Sequence, residues 1–115
     1  MEFSMKLQPL PFSMIESGRK TIELRLYDEK RRLIAIGDTI RFLDISNPEK
    51  AILTEVEEPF IFGSFGELYR ALPLTECGYT TDNVRSASPE DMLKYYTREQ
   101  EKGYGVIGIR IKVLQ

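Results

Sequence analysis

The chain of 115 residues contains no histidine and no tryptophan, and it has one cysteine, Cys77. Without histidine, Ser-His-Asp triads, Cys-His dyads and His-rich zinc sites are excluded. A lone cysteine cannot form a disulfide within the chain, and no neighbour in the sequence identifies an activating partner, so we interpret Cys77 as an inert thiol. Any general acid or base must therefore be a Lys, Tyr, Asp or Glu side chain, or this thiol.

Long apolar runs and a targeting segment are also missing. No run approaches the roughly 20 residues that are needed to cross a bilayer, and the N-terminal stretch MEFSMKLQPLPF lacks the basic region and apolar core of a secretory signal. The glycines at 63, 66 and 78 do not form a phosphate-binding pattern. We therefore expect a cytoplasmic protein with no membrane contact, no metal and no cofactor.

The charge of the chain is unevenly distributed. The formal net charge is −2, and 42% of the residues are hydrophobic, which predicts a globular chain forming a single domain over 1–115 and argues against a broad polyanion-binding surface. Between Arg19 and Arg32, however, six basic residues stand against three acidic ones, a local charge of +3. Such an excess is either a solvated face or part of a binding site.

Part of this basic stretch has the pattern of a strand. In KTIELRLY, alternation predicts that Ile22, Leu24 and Leu26 face the core while Glu23 and Arg25 point the other way. Two residues apart on one strand face, Glu23 and Arg25 have Cα atoms roughly 6.5 to 7 Å apart, which permits an ion pair or a shared ligand. With Lys20 just upstream, these residues are the first candidates for a polar site.

The rest of the chain predicts further short elements. FSMKL, DTIRFLDI, KAILTEVEE and the C-terminal VIGIRIKV alternate as strands. A turn at 46–49 is expected to join the middle two in a hairpin. A first helix is expected to begin at Pro11 and end at Gly18. Three short helices are expected to be capped by Ser64, Ser88 and Thr97, the last of them closing at Gly103.

This order lacks the long helices of repeated βαβ units. The sequence therefore predicts an α+β fold, a small mixed or antiparallel β-barrel with peripheral short helices. Residues 74–88 have the weakest pattern and are interpreted as a mobile flap beside the site.

The stretch PFSMIESGRKTIELRLYDEKRRLIAIGDTIRF and the tail MLKYYTREQEKGYGVIGIRIKV are similar to an ASCH domain, named for homology to activating signal cointegrator. The shared core is G-x-K-x-x-E-x-R, here Gly18, Lys20, Glu23 and Arg25, followed by a Gly-Asp turn. The resemblance implies a PUA-like fold and a cleft where these polar residues converge to bind RNA, a nucleoside or a nucleotide.

One branch that the chain resembles consists of small amidohydrolases that deacylate acetylated cytidine. They use a lysine, a threonine three residues later and a separate glutamate. Lys20 matches the lysine, but Glu23 holds the place of the threonine, and the distal glutamate has no evident counterpart. Another member is a ribonuclease, so the resemblance leaves an amidohydrolase or ribonuclease open, with Lys20 and Glu23 as its catalytic residues.

Tyrosines complete the predicted site, because nucleobases stack on aromatic rings. Tyr96 is the preferred ligand-binding aromatic and Tyr104 the second, while packing in the core is the alternative role for either ring. The leading prediction is an RNA- or nucleotide-binding domain with ligand contacts from Lys20, Glu23 and Arg25. The alternatives are the hydrolase and a protein-interaction module. On the same evidence, Glu23 and Arg25 can instead be a purely structural ion pair.

Overall fold

The computed structural model describes residues 1–114. Over these residues the chain forms strands β1 (Glu2–Leu7), β2 (Ile22–Leu26), β3 (Thr39–Asp44), β4 (Asn47–Phe62) and β5 (Val106–Val113), and α-helices α1 (Pro9–Glu16), α2 (Phe65–Ala71) and α3 (Arg98–Tyr104). Short 3₁₀ helices span Arg31–Leu33, Leu74–Glu76, Val84–Ser86 and Pro89–Lys94. The predicted α+β order of strand, helix, three strands, short helices and strand is confirmed.

The strands form one curled, half-barrel sheet in the order β1-β3-β4-β5-β2. Strand β1 pairs with β3 in parallel, and the remaining pairs are antiparallel. The sheet is therefore mixed, as predicted, and β1 and β2 are its two edges. The candidate residues of β2 lie on one of these edges.

Apolar side chains pack in two clusters. One joins α1 to β1, β3, β4 and β5 and includes Phe12, Ile15 and Phe42. The other joins β2 to α2 and includes Ile22, Phe65 and Cys77. Strands β1 and β3 alternate between buried and more exposed residues, whereas β2 is buried along most of its length. Strand β2 is thus covered on both faces.

The three predicted helix caps are present. Ser64, Ser88 and Thr97 each accept a hydrogen bond from a backbone N–H in the first helical turn. The side chains of Asp91 and Gln100 accept in return from the backbone N–H of the caps at 88 and 97. Each cap stabilises its helix by about 1 kcal/mol, so the caps fix where the chain turns around the half-barrel.

Two predicted boundaries are wrong. Helix α1 begins at Pro9 rather than Pro11, because Pro9 already provides the φ of a first helical position and needs no N–H partner. The hairpin turn lies at 45–46, since the Asp44 carboxylate accepts hydrogen bonds from the N–H and hydroxyl of Ser46. Strand β4 consequently starts at Asn47.

Helix α3 also extends further than expected. It continues through Gly103 to Tyr104 and ends at Gly105. The helix exit predicted at Gly18 is confirmed, with φ of +83°. Among residues 1–114, no helix has the length and apolarity that a membrane crossing requires.

Candidate ligand-binding cavity

A cavity of about 550 Å³ opens beside strand β2. Its walls are formed by the end of β1, α1, β2, Tyr69 of α2 and the segment from Cys77 to Tyr96. Lys20, Glu23, Arg25 and Tyr96 all line it. The structure therefore brings together four of the five side chains that were predicted to bind a ligand.

Glu23 is the buried centre of this group, with 2% of its surface exposed. The Arg25 Nε–H donates to Oε2 over 2.6 Å, and the Lys20 ammonium lies 2.8 Å from Oε1. The three charged groups thus form a triad, and the predicted ion pair is present. The chain beyond α2 covers this side of β2, so Glu23 lies within the cavity wall.

The two oxygens of Glu23 have different surroundings. Oε2 accepts the hydrogen bond from Arg25. Oε1 is itself buried and lies 2.8 Å from the Lys20 ammonium, a distance typical of a charge-assisted hydrogen bond. Because an ammonium group has three N–H donors, Lys20 can hold Oε1 and also donate to a ligand in the cavity that it lines.

The triad keeps Glu23 ionised. Burial alone would raise the pKa of its carboxyl, but the charges of Lys20 and Arg25 outweigh burial and hold the pKa below its ordinary value of 4.5. A carboxylate with a lowered pKa is a weak base at neutral pH. The geometry therefore suits Glu23 to accepting hydrogen bonds more than to removing protons.

Arg25 connects the two edges of the sheet. Its Nε–H binds Glu23, and its Nη2 donates to the backbone oxygen of Lys6 at the end of β1, over 2.9 Å. Burial would lower the pKa of Arg25, and the charge of Glu23 outweighs it and raises the pKa. Arg25 consequently fixes the position of Glu23 as well as lining the cavity.

Lys20 reaches Glu23 alongside the segment that follows α2. Gly78 has φ of +116°, and a Cβ at this position would lie 3.6 to 3.9 Å from the Lys20 side chain. Next to it, the buried Cys77 thiol donates weakly to the Pro73 oxygen. Burial raises the pKa of Cys77 to about 12, which agrees with its interpretation as an inert thiol.

The two tyrosines that were predicted to bind a ligand lie in different parts of the structure. Tyr96 lines the cavity and also stacks on Phe65, with ring centroids 6.0 Å apart. Tyr95, which is 62% exposed, lines the cavity beside it. Tyr104 packs against the cluster around α2 and is not part of the cavity wall, and its backbone oxygen accepts from Arg32. The geometry does not bring Tyr104 together with the triad.

The charged segment 28–32 lies outside the cavity wall. Within it, Arg31 pairs with Asp28 over 2.9 Å, and the guanidinium of Arg32 stacks 4.4 Å from the centroid of the Tyr27 ring. Arg31 and Arg32 are thus both held by side chains that lie outside the cavity wall. The local excess of positive charge is therefore only partly directed at the cavity.

Three further side chains of the cavity wall, Tyr69, Tyr79 and Asp91, were not predicted from the sequence. The hydroxyls of Tyr69 and Tyr79 are 2.8 Å apart, and Tyr79 donates to Asp91 over 2.6 Å. We call these three residues the tyrosine relay. Its members are 10 and 12 positions apart along the chain and follow no periodicity, so no strand or helix pattern could have identified them.

The curled sheet, short helices and polar cavity define a small PUA-like α+β domain. A family model for the ASCH domain matches residues 5–115, and the chain belongs to this family. The predicted resemblance is thereby confirmed. A comparison with curated proteins found no match.

Solved structures give the same fold. The hypothetical protein PH0355 is 33% identical, with a TM-score of 0.80 over 99% of this chain and 100% of that one. Protein PF0455 from Pyrococcus furiosus is 32% identical, with a TM-score of 0.75 over 100% and 99%. The ASCH protein from Zymomonas mobilis is 16% identical, with a TM-score of 0.61 over 96% and 66%, which is a likeness of fold alone.

Proposed function

We propose that this protein binds RNA, a nucleoside or a nucleotide in the cavity, with contacts from Lys20, Glu23, Arg25 and Tyr96. Membership of the ASCH family supports a ligand of this class. The observation that carries the proposal is that the triad of Lys20, Glu23 and Arg25 lines the same cavity as Tyr96. A cytoplasmic location, where such ligands occur, is part of the proposal.

The chemistry of the wall matches a nucleobase. An ionised carboxylate only accepts hydrogen bonds, so any ligand group that contacts Glu23 must carry an N–H or O–H, and glutamate accepts from base amino groups in known recognition. Lys20 and Arg25 are donors beside it, which suits a base edge that carries a donor next to an acceptor. Exposed Tyr95 and the cavity face of Tyr96 offer rings for stacking, worth roughly 1 to 3 kcal/mol per base.

Binding should involve few phosphates. The net charge is −2, and Lys20 and Arg25 are both engaged by Glu23. Because the salt dependence of binding grows with the number of neutralised phosphates, we expect a shallow dependence on salt. The ligand is accordingly one or a few nucleotides at the cavity rather than a long duplex.

The test is titration of the protein with the four ribonucleosides and with short single-stranded RNA, followed by calorimetry and fluorescence anisotropy. Lys20→Ala should weaken binding about tenfold or more, because a charged hydrogen-bonding group is worth roughly 1.5 to 3 kcal/mol. Lys102→Ala, which removes an exposed lysine outside the cavity wall, is the matched control. Equal affinity of the two variants, or no binding by the wild type, would overturn the proposal.

A hydrolase is less well supported by this geometry. It needs a base, and Glu23 is held ionised with a lowered pKa while burial keeps the Cys77 thiol protonated. Incubation with N-acetylated cytidine and with end-labelled RNA tests this directly. Turnover by the wild type above that of Lys20→Ala would show catalysis and replace binding alone as the function.

A further inference from the structure

The tyrosine relay has a fixed hydrogen-bond direction. Asp91 is an acceptor when ionised, and the single hydroxyl hydrogen of Tyr79 is given to it over 2.6 Å. Tyr79 therefore has no hydrogen left for Tyr69, and the 2.8 Å contact between the two hydroxyls must be donated by Tyr69. A tyrosine hydroxyl has one hydrogen, so both hydroxyl hydrogens in the relay are committed.

The protonation states of the relay agree with this direction. Hydrogen bonding by Tyr79 lowers the pKa of Asp91, which keeps it ionised. Burial raises the pKa of both Tyr69 and Tyr79, which keeps both phenols neutral. The remaining capacity of Tyr69 is the unused lone pair of its oxygen, and Tyr69 lines the cavity.

The cavity thus contains two groups that can only accept further hydrogen bonds. One is the Glu23 carboxylate, a charged and strong acceptor; the other is the Tyr69 oxygen, a neutral and weaker one. A cavity of about 550 Å³ is within the usual range for small-molecule sites, and it has room for a base and its sugar. A nucleoside carries both kinds of donor, N–H groups on the base and hydroxyls on the ribose.

We propose that Tyr69, oriented by Tyr79 and Asp91, forms a second subsite that accepts a hydrogen bond from a ribose hydroxyl of the ligand. This inference rests on the proposed function, because it assigns the sugar of the same nucleoside. The weaker acceptor receives the sugar hydroxyl, and Glu23 receives the base. Since the 2′-hydroxyl distinguishes RNA from DNA, the relay would make the cavity selective for ribonucleosides.

The experiment measures dissociation constants by calorimetry for adenosine, guanosine, cytidine and uridine and for their 2′-deoxy and 3′-deoxy forms. The wild type should prefer the ribonucleoside over one of its deoxy forms by about 3- to 10-fold, the usual value of one hydrogen bond. Tyr69→Phe should abolish this preference by weakening only the ribonucleoside. Tyr104→Phe, which removes a hydroxyl outside the cavity wall, should keep the preference.

A second variant tests the direction of the hydrogen bonds in the tyrosine relay. Tyr79→Phe frees the hydrogen of Tyr69, which can then donate as well as accept. Ribonucleosides that are O-methylated at the hydroxyl whose removal weakens wild-type binding, 2′ or 3′, only accept at this position, so their affinity relative to the ribonucleosides should increase about 3-fold or more. The methyl group has the same size in both proteins, and the change in ratio therefore reports the freed hydrogen. An unchanged ratio would contradict the proposed direction.

The outcomes separate the two proposals. If the wild type binds no ribonucleoside, both the proposed function and the subsite fall. If ribonucleosides bind but no deoxy form is weaker, or if Tyr69→Phe and Tyr104→Phe behave alike, the subsite alone is overturned. The wild-type comparison needs no variant, so it remains decisive even where Tyr69→Phe does not fold.

Discussion

Replacing Glu23 by glutamine tests whether the paired charges of the triad stabilise the folded protein. Glu23→Gln keeps the shape of the side chain and removes its charge, leaving the Lys20 ammonium and the Arg25 guanidinium together in a largely buried site. Loss of one member of a buried ion pair costs about 3 to 5 kcal/mol, since the remaining charge is unpaired. Domains of this size have a free energy of unfolding of roughly 5 to 15 kcal/mol, so a large fraction of it would be lost.

The matched control is Glu90→Gln on the surface. Glu90 pairs with Arg98 over 2.9 Å, a distance close to those in the triad, but both side chains are about two-thirds exposed. Exposed pairs are worth about 0 to 1 kcal/mol. Urea unfolding followed by far-UV circular dichroism gives the free energy of unfolding for both variants.

A double variant identifies the source of the cost. Lys20→Met combined with Glu23→Gln removes one of the two charges that Glu23→Gln leaves unpaired, so it should recover part of the lost stability. The triad does not stabilise the protein through the pairing of its charges if Glu23→Gln costs no more free energy of unfolding than Glu90→Gln. The same conclusion follows if the loss in the double variant equals the sum of the losses in Lys20→Met and Glu23→Gln alone.

Three further predictions concern pH, the thiol and the backbone. Because the pKa of Glu23 is lowered from 4.5 on folding, its stabilisation is complete above the unfolded-state pKa and is lost as pH falls through the folded-state pKa. The difference in unfolding free energy between wild type and Glu23→Gln should thus shrink on acidification in urea titrations, and a constant difference would refute the pairing. Cys77, with its pKa raised to about 12, should react with a disulfide reagent at pH 7.5 only on unfolding, and rapid labelling of the native protein would contradict its burial. Gly78→Ala should destabilise by about 1 kcal/mol or more because of its positive φ; Gly103→Ala, within α3 and with open space around it, should stabilise by about 0.5 to 1 kcal/mol in thermal unfolding.

Local patterns in the sequence predicted most of the framework. Strand alternation placed Glu23 and Arg25 on the same side of β2, and the hydrogen bond between them confirms it. Alternation cannot show what covers that side, where part of the cavity wall around Glu23 comes from the segment from Cys77 to Tyr96, more than 50 positions away. The relay of Tyr69, Tyr79 and Asp91 is likewise built from tertiary contacts, which leave no periodic signal.

The setting of the triad favours a binding site over a purely structural ion pair. Arg25 holds Oε2 and anchors itself on the Lys6 backbone oxygen, so the carboxylate is fixed from one side. The Lys20 ammonium holds Oε1 over 2.8 Å, and all three charged side chains line the same cavity. A pair selected only for stability needs one cation and no adjacent cavity, and replacing a buried ion pair by apolar residues is often neutral or stabilising. The second cation, Lys20, has three N–H donors and can therefore bind Glu23 and a ligand at the same time.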